Sequence, residues 1–459
     1  MSAPGALEGG LRRSLKRRHM HMIALGGVIG AGLFVGSGVV IGSAGPAAVL
    51  SFALTGTLVV LVMRMLGEMA VAYPAIGGFY EYNRLALGEL AGFLTGWMYW
   101  YFWVIVVALE AVAGARILVN WWPGVAPWEF TLALMTTFTI VNLLSVRSYG
   151  EAEFWFASIK VAAIVVFLGA GILFALGAWP GTQAGLPHLT AHGGFMPRGI
   201  VPVLTGAVAA TGFYFGAEIV TIAAAESAEP ERAVAETTQS VIWRVLVFYV
   251  GSIFLVVALV PWNDSLRMSQ PYVSVMEVLR IPAATTVMSL VILTAVLSAL
   301  NSGLFASSRM LMALAERHDA PRAVARLDKR GVPVAAILAS TAFGYVAVAM
   351  SYLSPNGVFA FLVTSYGTVA IFVYVLIAVA ELKLRAVLER EQPERLKIRM
   401  WGYPWLTCIA IAAMLAILAA MSVIPEQRVS LAFGLISAGV LLAAYGLRRA
   451  LRPRLQPAA

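Results

Sequence analysis

Long runs of apolar residues, broken by short polar or glycine- and proline-bearing turns, recur from residue 20 almost to the end of the chain. A bilayer-spanning helix needs about 20 predominantly apolar residues, and windows of that length predict twelve helices. They lie near 20–43, 46–72, 91–119, 128–146, 155–178, 200–225, 236–260, 282–315, 333–352, 357–382, 403–423 and 429–447. The eighth window is long enough to extend past the bilayer into the cytoplasm. No strand-like alternation competes with this pattern, which predicts an all-α polytopic membrane protein.

Two windows carry glycine where a helix least tolerates it. The stretch GGVIGAGLFVGSG, Gly26–Gly38, has six glycines in thirteen residues, and the sixth window, TGAVAATGFYFGAEIV, has Gly212 and Gly216 in mid-span. Glycine is about 1 kcal/mol worse than alanine in a helix, and an interrupted backbone in a bilayer needs substitute hydrogen-bond partners. One reading is packing: Gly26-x-x-x-Gly30 and Gly32-x-x-x-Gly36 are small-xxx-small patterns of the kind that let membrane helices approach. The other reading comes from position. The first and sixth windows are five helices apart, and interrupted spans at corresponding positions of two halves point to the binding site of an inverted-repeat secondary transporter. The implied division is a tail at 1–19, five-helix repeats at 20–178 and 200–382, two further helices at 403–447 and a tail at 448–459.

Charge orients this arrangement. The chain carries a net charge of +9 with only 12% charged residues. With the N-terminus on the cytoplasmic side, 23 of the 32 Lys and Arg residues fall in inner segments. Five fall in outer loops (Arg116, Arg198, Arg267, Arg280, Arg428) and four in or beside spans. That asymmetry follows the positive-inside rule and predicts both termini inside, so the basic balance orients the protein and does not imply nucleic acid. The basic run Arg12–Arg18 leads straight into the first span and predicts a retained anchor in place of a cleaved signal peptide. The lone Cys408 makes no intramolecular disulfide.

Ionisable residues inside spans mark function. Glu110 lies in the third window, Lys160 in the fifth and Glu218 in the sixth. Glu110 and Lys160 have two readings: proton exchange during transport, or a static bridge between helices three and five. Glu218 follows the sixth-window break, where it either accepts backbone N–H bonds that hold the break or acts in gating. Glu68 and Arg309, near the ends of their spans, are read as structural. The five histidines have no metal-ligand spacing, no phosphate-binding glycine loop with Lys-Ser/Thr is present, and no catalytic constellation supports an enzyme.

Several segments together resemble the bacterial amino acid transporter branch of the amino acid–polyamine–organocation superfamily. They are RHMHMIALGGVIGAGLFVGSG, RMLGEMAVAYP, AGFLTGWMYWYFWV, NLLSVRSYGEAEFWFASIKV, GAEIVTIAAAES, VIWRVLVFYVGSIF and LSALNSGLFASSRMLMALAERHDAP. Within that branch GAEIVTIAAAES, the LEA around Glu110 and RMWGYPWLT most resemble the 4-aminobutyrate (GABA) permeases. The resemblance implies a LeuT-like 5+5 inverted repeat with helices one and six broken, no cofactor and proton-coupled uptake of a small zwitterion in the bacterial cytoplasmic membrane. It implies a substrate-carboxylate site on the amides of Ile29, Gly30, Ala31 and Gly32, and amine-binding carbonyls on Gly212, Phe213 and Phe215. It also matches Lys160 and Glu110 to ionisable residues at similar depths in related transporters. This copy is richer in glycine, at Gly27 and Gly32, than some relatives.

The physics of helix ends agrees with that mapping. A half-helix beginning at a break offers free N–H groups to a carboxylate, and one ending at a break offers carbonyls to an ammonium. For GABA the two ends stand about three carbons apart, and Phe213, Tyr214 and Phe215 are expected to line the gap. Other expectations stay open: a permease for proline, aromatic amino acids or alanine, serine and glycine; an exchanger; or a sensor, which would carry a soluble extension larger than tails of about 18 and 12 residues.

Overall fold

A computed structural model describes residues 18–20, 22, 29–73, 78–144, 146–179, 185–223, 246–281, 283–354, 357–366 and 368–455. Gly26, Gly27, all but the last residue of the Arg12–Arg18 run and the 224–245 stretch lie outside the described residues. Every described regular element is helical. After a π-helical turn at Gly32–Gly36 come α1 (Ser37–Ala44), α2 (Ala48–Ala72), α3 (Phe79–Leu87), α4 (Glu89–Trp121), α5 (Pro127–Leu144) and α6 (Val146–Ala175). Next come α7 (Ile200–Tyr214), α8 (Ile219–Ala223), α9 (Ser252–Leu259), α10 (Ser265–Ser269), α11 (Pro271–Val278) and α12 (Ala284–Glu316). The chain ends with α13 (Val334–Leu353), α14 (Gly357–Tyr366), α15 (Val369–Glu391), α16 (Trp405–Val423) and α17 (Pro425–Leu455). Among the described residues, eight helical stretches are long and apolar enough to cross a membrane. The chain is a polytopic, all-helical membrane protein.

The centre of the molecule is the pair α4 and α12, packed along their lengths. Small residues make that approach possible, since lipid supplies little hydrophobic force between helices. A Cβ on Gly303 would stand 2.8 Å from both Trp103 and Val107, and one on Gly96 would stand 2.7 Å from Leu314. The outermost helices behave differently. The most apolar window of α4 is 78% buried, whereas that of the last stretch, 427–450, is only 6% buried. Its apolar side chains therefore lie on the outside of the helix bundle.

The helix carrying the second glycine-rich segment is fixed by polar side chains of α2. Ser51 donates to the Val203 carbonyl at 2.7 Å, Thr55 to Ala207 at 2.9 Å, and Tyr214 in return donates to Phe52 at 3.0 Å. Each such bond inside a membrane protein is worth only about 0.6–2 kcal/mol, but three in succession fix the axial position of α7 and hence where it ends.

Two details differ from the sequence pattern. The sixth-window interruption does not begin at Gly212: α7 continues through it to Tyr214, and the chain leaves the helix at Phe215 (ψ 134°). Gly216, at φ +127°, makes the turn, a conformation that side chains rarely adopt. The tenth window is also in two pieces, α14 and α15. Thr368, between them, donates to the Ser430 carbonyl of α17 at 3.0 Å, a partner no local pattern announces.

Candidate functional site

Both interruptions open on one cavity. It has a volume of about 50 Å³ and is lined by Gly30, Ala31 and Gly32 from the first break and Gly212, Phe213 and Phe215 from the second. Helix α4 contributes Phe102, Trp103, Val106, Leu109 and Glu110, and α12 contributes Ala299. Ile29 and Gly30 form a bend, Leu33 N–H reaches the Gly30 carbonyl at 3.2 Å, and Ala31 is already helical (φ −57°, ψ −28°). The first amides of the new helix therefore lack intrahelical acceptors.

A carboxylate of the chain itself stands beside those amides: Glu110, on which the Ala31 amide acts electrostatically. Its Oε1 lies 3.1 Å from where a Cβ on Gly30 would be, with the Ala299 methyl at 3.2 Å. Gly30 is thus a close-approach glycine: it admits the Glu110 carboxylate to the backbone. Gly32 and Gly36 serve a different neighbour. A Cβ on either would come within 2.6 Å of the Phe213 ring, so both glycines of that small-xxx-small pair accommodate an aromatic side chain from the other break. This is close packing against a side chain of α7.

Lys160, fully buried, secures the other side of the first break. Its Nζ donates to the Ile29 carbonyl at 2.8 Å and to Ser298 Oγ at 2.8 Å, and it interacts electrostatically with Glu110 and Glu153. Ser298 in turn donates to Glu153 Oε1 at 2.5 Å. One ammonium and two carboxylates are therefore enclosed around the break.

At the second break Glu218 accepts from its own turn, from Gly216 N–H at 3.0 Å, and from the Tyr374 hydroxyl of α15 at 3.1 Å. The Phe215 ring is held between Phe102, at 4.3 Å between centroids, and Tyr374, at 4.9 Å. The Phe213 carbonyl accepts from the Tyr249 hydroxyl at 2.8 Å, leaving one lone-pair direction for a further donor. Tyr214 points elsewhere. It stacks on Tyr249, bonds to Phe52 and is not part of the cavity wall. Ile29 contributes its carbonyl to Lys160 and also stays out of the wall.

Chemically, the cavity joins amide donors at one helix start to carbonyl acceptors at another helix end across an aromatic gap, with ionisable groups beside the amides. Sequence reasoning missed Phe102, Trp103, Val106, Ala299, Ser298 and Glu153. The α4 residues had a signal: Tyr99, Trp103, Val106 and Glu110 recur at helical spacing on one face. Glu153 stands seven residues before Lys160, two turns on the same face, but just ahead of the window drawn from 155. Ser298 and Ala299 carried no local mark.

Comparison with known proteins accords with this geometry. The amino acid permease family profile matches residues 19–448. The chain is 50% identical over 439 residues to the gamma-aminobutyric acid permease of Bacillus subtilis strain 168, covering 95% of this chain and 94% of that one. It is 45% identical over 443 residues to the gamma-aminobutyric acid permease of Escherichia coli K12, covering 96% and 94%. It is 41% identical over 417 residues to the aromatic amino acid transport protein AroP of Corynebacterium glutamicum, covering 90% of each. These are transporters and not enzymes, and with most of its length matched the chain belongs to the amino acid permease family.

Proposed function

We propose that this protein carries 4-aminobutyrate into the cell across the bacterial cytoplasmic membrane, coupled to a proton and by alternating access. Twelve spans arranged as two inverted five-helix repeats with two appended helices would supply the frame, with both termini cytoplasmic. The observation that carries the reading is the close approach of the Glu110 carboxylate to Gly30 in the wall of a cavity lined from both glycine-bearing segments.

The substrate carboxylate is taken by the amides of Ile29–Gly32 and its ammonium by carbonyls of Gly212, Phe213 and Phe215. The Glu110 carboxylate already stands beside those amides. Two ionised carboxylates about 4 Å apart repel by about 4 kcal/mol at an effective dielectric constant near 20, close to a thousandfold in affinity. A proton on Glu110 removes that repulsion. It also brings the enclosed set of Lys160, Glu110 and Glu153 from one net negative charge to none. Substrate and proton therefore enter together. The small cavity and the apolar strip of Phe102, Phe213 and Phe215 between its two polar ends favour a slender ω-amino acid over an aromatic one, in keeping with the names of the more similar relatives.

Uptake of labelled GABA into proteoliposomes under an imposed inward proton gradient tests this. Accumulation is expected to rise with the gradient and to be suppressed by unlabelled GABA more than by proline, alanine or phenylalanine. Equal uptake with and without the gradient would refute symport and leave exchange. Stronger competition by another amino acid would refute the substrate.

A further inference from the structure

The cluster around Lys160 does not end at the substrate cavity. It continues along α6 and α12 away from it. Lys160 Nζ donates to Ser298 Oγ at 2.8 Å, and the Ser298 hydroxyl donates to Glu153 Oε1 at 2.5 Å. Glu153 is fully buried and faces Ser302 and Asn301, one turn further along α12. Tyr149 lies 3.5 Å from Ser302, and Asn142 of α5 donates to Asn301 at 3.0 Å. Seven helical residues separate Glu153 from Lys160, about 10 Å at 1.5 Å per residue. The displacement runs toward the start of α6, the end where Glu151 pairs with Arg18 at 2.5 Å.

Among the described residues, no cation is in direct contact with the Glu153 carboxylate. The charged group acting on it is Lys160, on its own helix, and α12 presents only uncharged Ser298, Asn301 and Ser302. Glu110, on α4, acts on Lys160 electrostatically. A buried carboxylate that accepts a short bond from a hydroxyl, itself bonded to an ammonium, is a wire for a proton.

We propose that Glu153 is the proton acceptor on the cytoplasmic side of the transport cycle, a relay residue acting through Ser298. This rests on the proton-coupled reading above. The Lys160 ammonium gives a proton to Ser298 Oγ as the Ser298 hydroxyl proton passes to Glu153 Oε1. Lys160 becomes a neutral amine, Glu153 a neutral carboxylic acid, and the net charge is unchanged. Glu110 then restores the ammonium with the proton it brought in beside the substrate. Glu153 releases its proton to water when the cytoplasmic side opens. One proton crosses per cycle without passing back through the substrate cavity.

The test uses the full chain in proteoliposomes and compares gradient-driven GABA accumulation with gradient-free exchange of labelled for unlabelled GABA. Glu153→Gln keeps an oxygen for the Ser298 hydroxyl but cannot take the proton. It is expected to lower accumulation by at least about tenfold while exchange stays near wild type. Ser298→Ala, which breaks the wire and leaves Glu153 in place, is expected to lower accumulation as well. Glu153→Asp is expected to restore accumulation with a displaced pH profile. Glu153→Gln accumulating like wild type with the same pH profile would overturn the relay, and so would equal loss of accumulation and exchange. Wild-type protein that ignores the gradient would instead overturn symport itself, so the two failures are distinguishable.

Discussion

Two glycines at the first break and a third in α1 have different surroundings, and each can be tested by one methyl group. At Gly30 the added carbon meets the Glu110 carboxylate, at Gly32 it meets the Phe213 ring at 2.6 Å, and at Gly42 it meets nothing within 4 Å. Overpacking of the Gly32 kind costs about 1–3 kcal/mol. Gly32→Ala is therefore expected to weaken GABA competition by roughly 5- to 150-fold, whereas Gly42→Ala should leave it unchanged in the same assay. Glu110→Gln tests the carboxylate and not the space. Its amide can still meet the Ala31 region, but it carries no exchangeable charge. Gradient-driven accumulation is expected to collapse while exchange continues; equal loss of both would remove Glu110 from coupling.

Elements hold the breaks open through partners from distant helices. The second break depends on Glu218, which bonds to the Gly216 amide and to Tyr374 of α15. Removing the carboxylate in Glu218→Ala strands both donors, at about 1–3 kcal/mol for each unsatisfied buried group, and is expected to lower the melting temperature in detergent. A second element-scale tie lies at the far end of α2. Glu68 accepts from Arg385 of α15 and from the Met400 amide, pinning the segment before α16. Breaking a buried pair by removing one partner costs roughly 3–5 kcal/mol, so Arg385→Ala should destabilise more than Glu218→Ala in the same melting measurement. Glu68 was legible as structural because it sits at a span end; Arg385 as its partner was not, being 317 residues away in sequence.

At the scale of the whole molecule, one face is gathered by a single acid. Asp319, just past α12, accepts from Tyr80 at 2.7 Å and Arg84 at 2.9 Å on α3, and pairs with Arg448 on α17. Its carbonyl accepts from Trp97 of α4 at 3.1 Å, and the neighbouring Arg317 pairs with Glu81 at 2.8 Å. Alternating access requires that one such face part while the other holds. Asp319→Asn leaves two arginines without their carboxylate and is expected to favour opening there. The measurement is labelling of Val106→Cys, in a Cys408→Ser background, by a membrane-impermeant maleimide applied to that face. Labelling no faster than in the Asp319 protein would mean that this network does not control access.

Much of this was readable along the chain. Apolar length identifies spans because the bilayer thickness is a fixed requirement, and the distribution of lysine and arginine predicts orientation because charge resists transfer. Glycine clusters and the buried Glu110, Lys160 and Glu218 stood out because each is costly where it lies, and cost marks use. What the one-dimensional pattern could not carry was pairing. That α7 runs past Gly212 to Tyr214 follows from Ser51 and Thr55 gripping it from α2. That Tyr214 turns away from the cavity follows from its bonds to Phe52 and Tyr249. Glu153 became visible only when Ser298, from a helix 145 residues away, joined it to Lys160. Composition and periodicity are local quantities set by solvent, and the sequence by itself determined them. Which polar atoms satisfy one another inside the bilayer is decided by where distant helices meet, and that belongs to the tertiary structure alone.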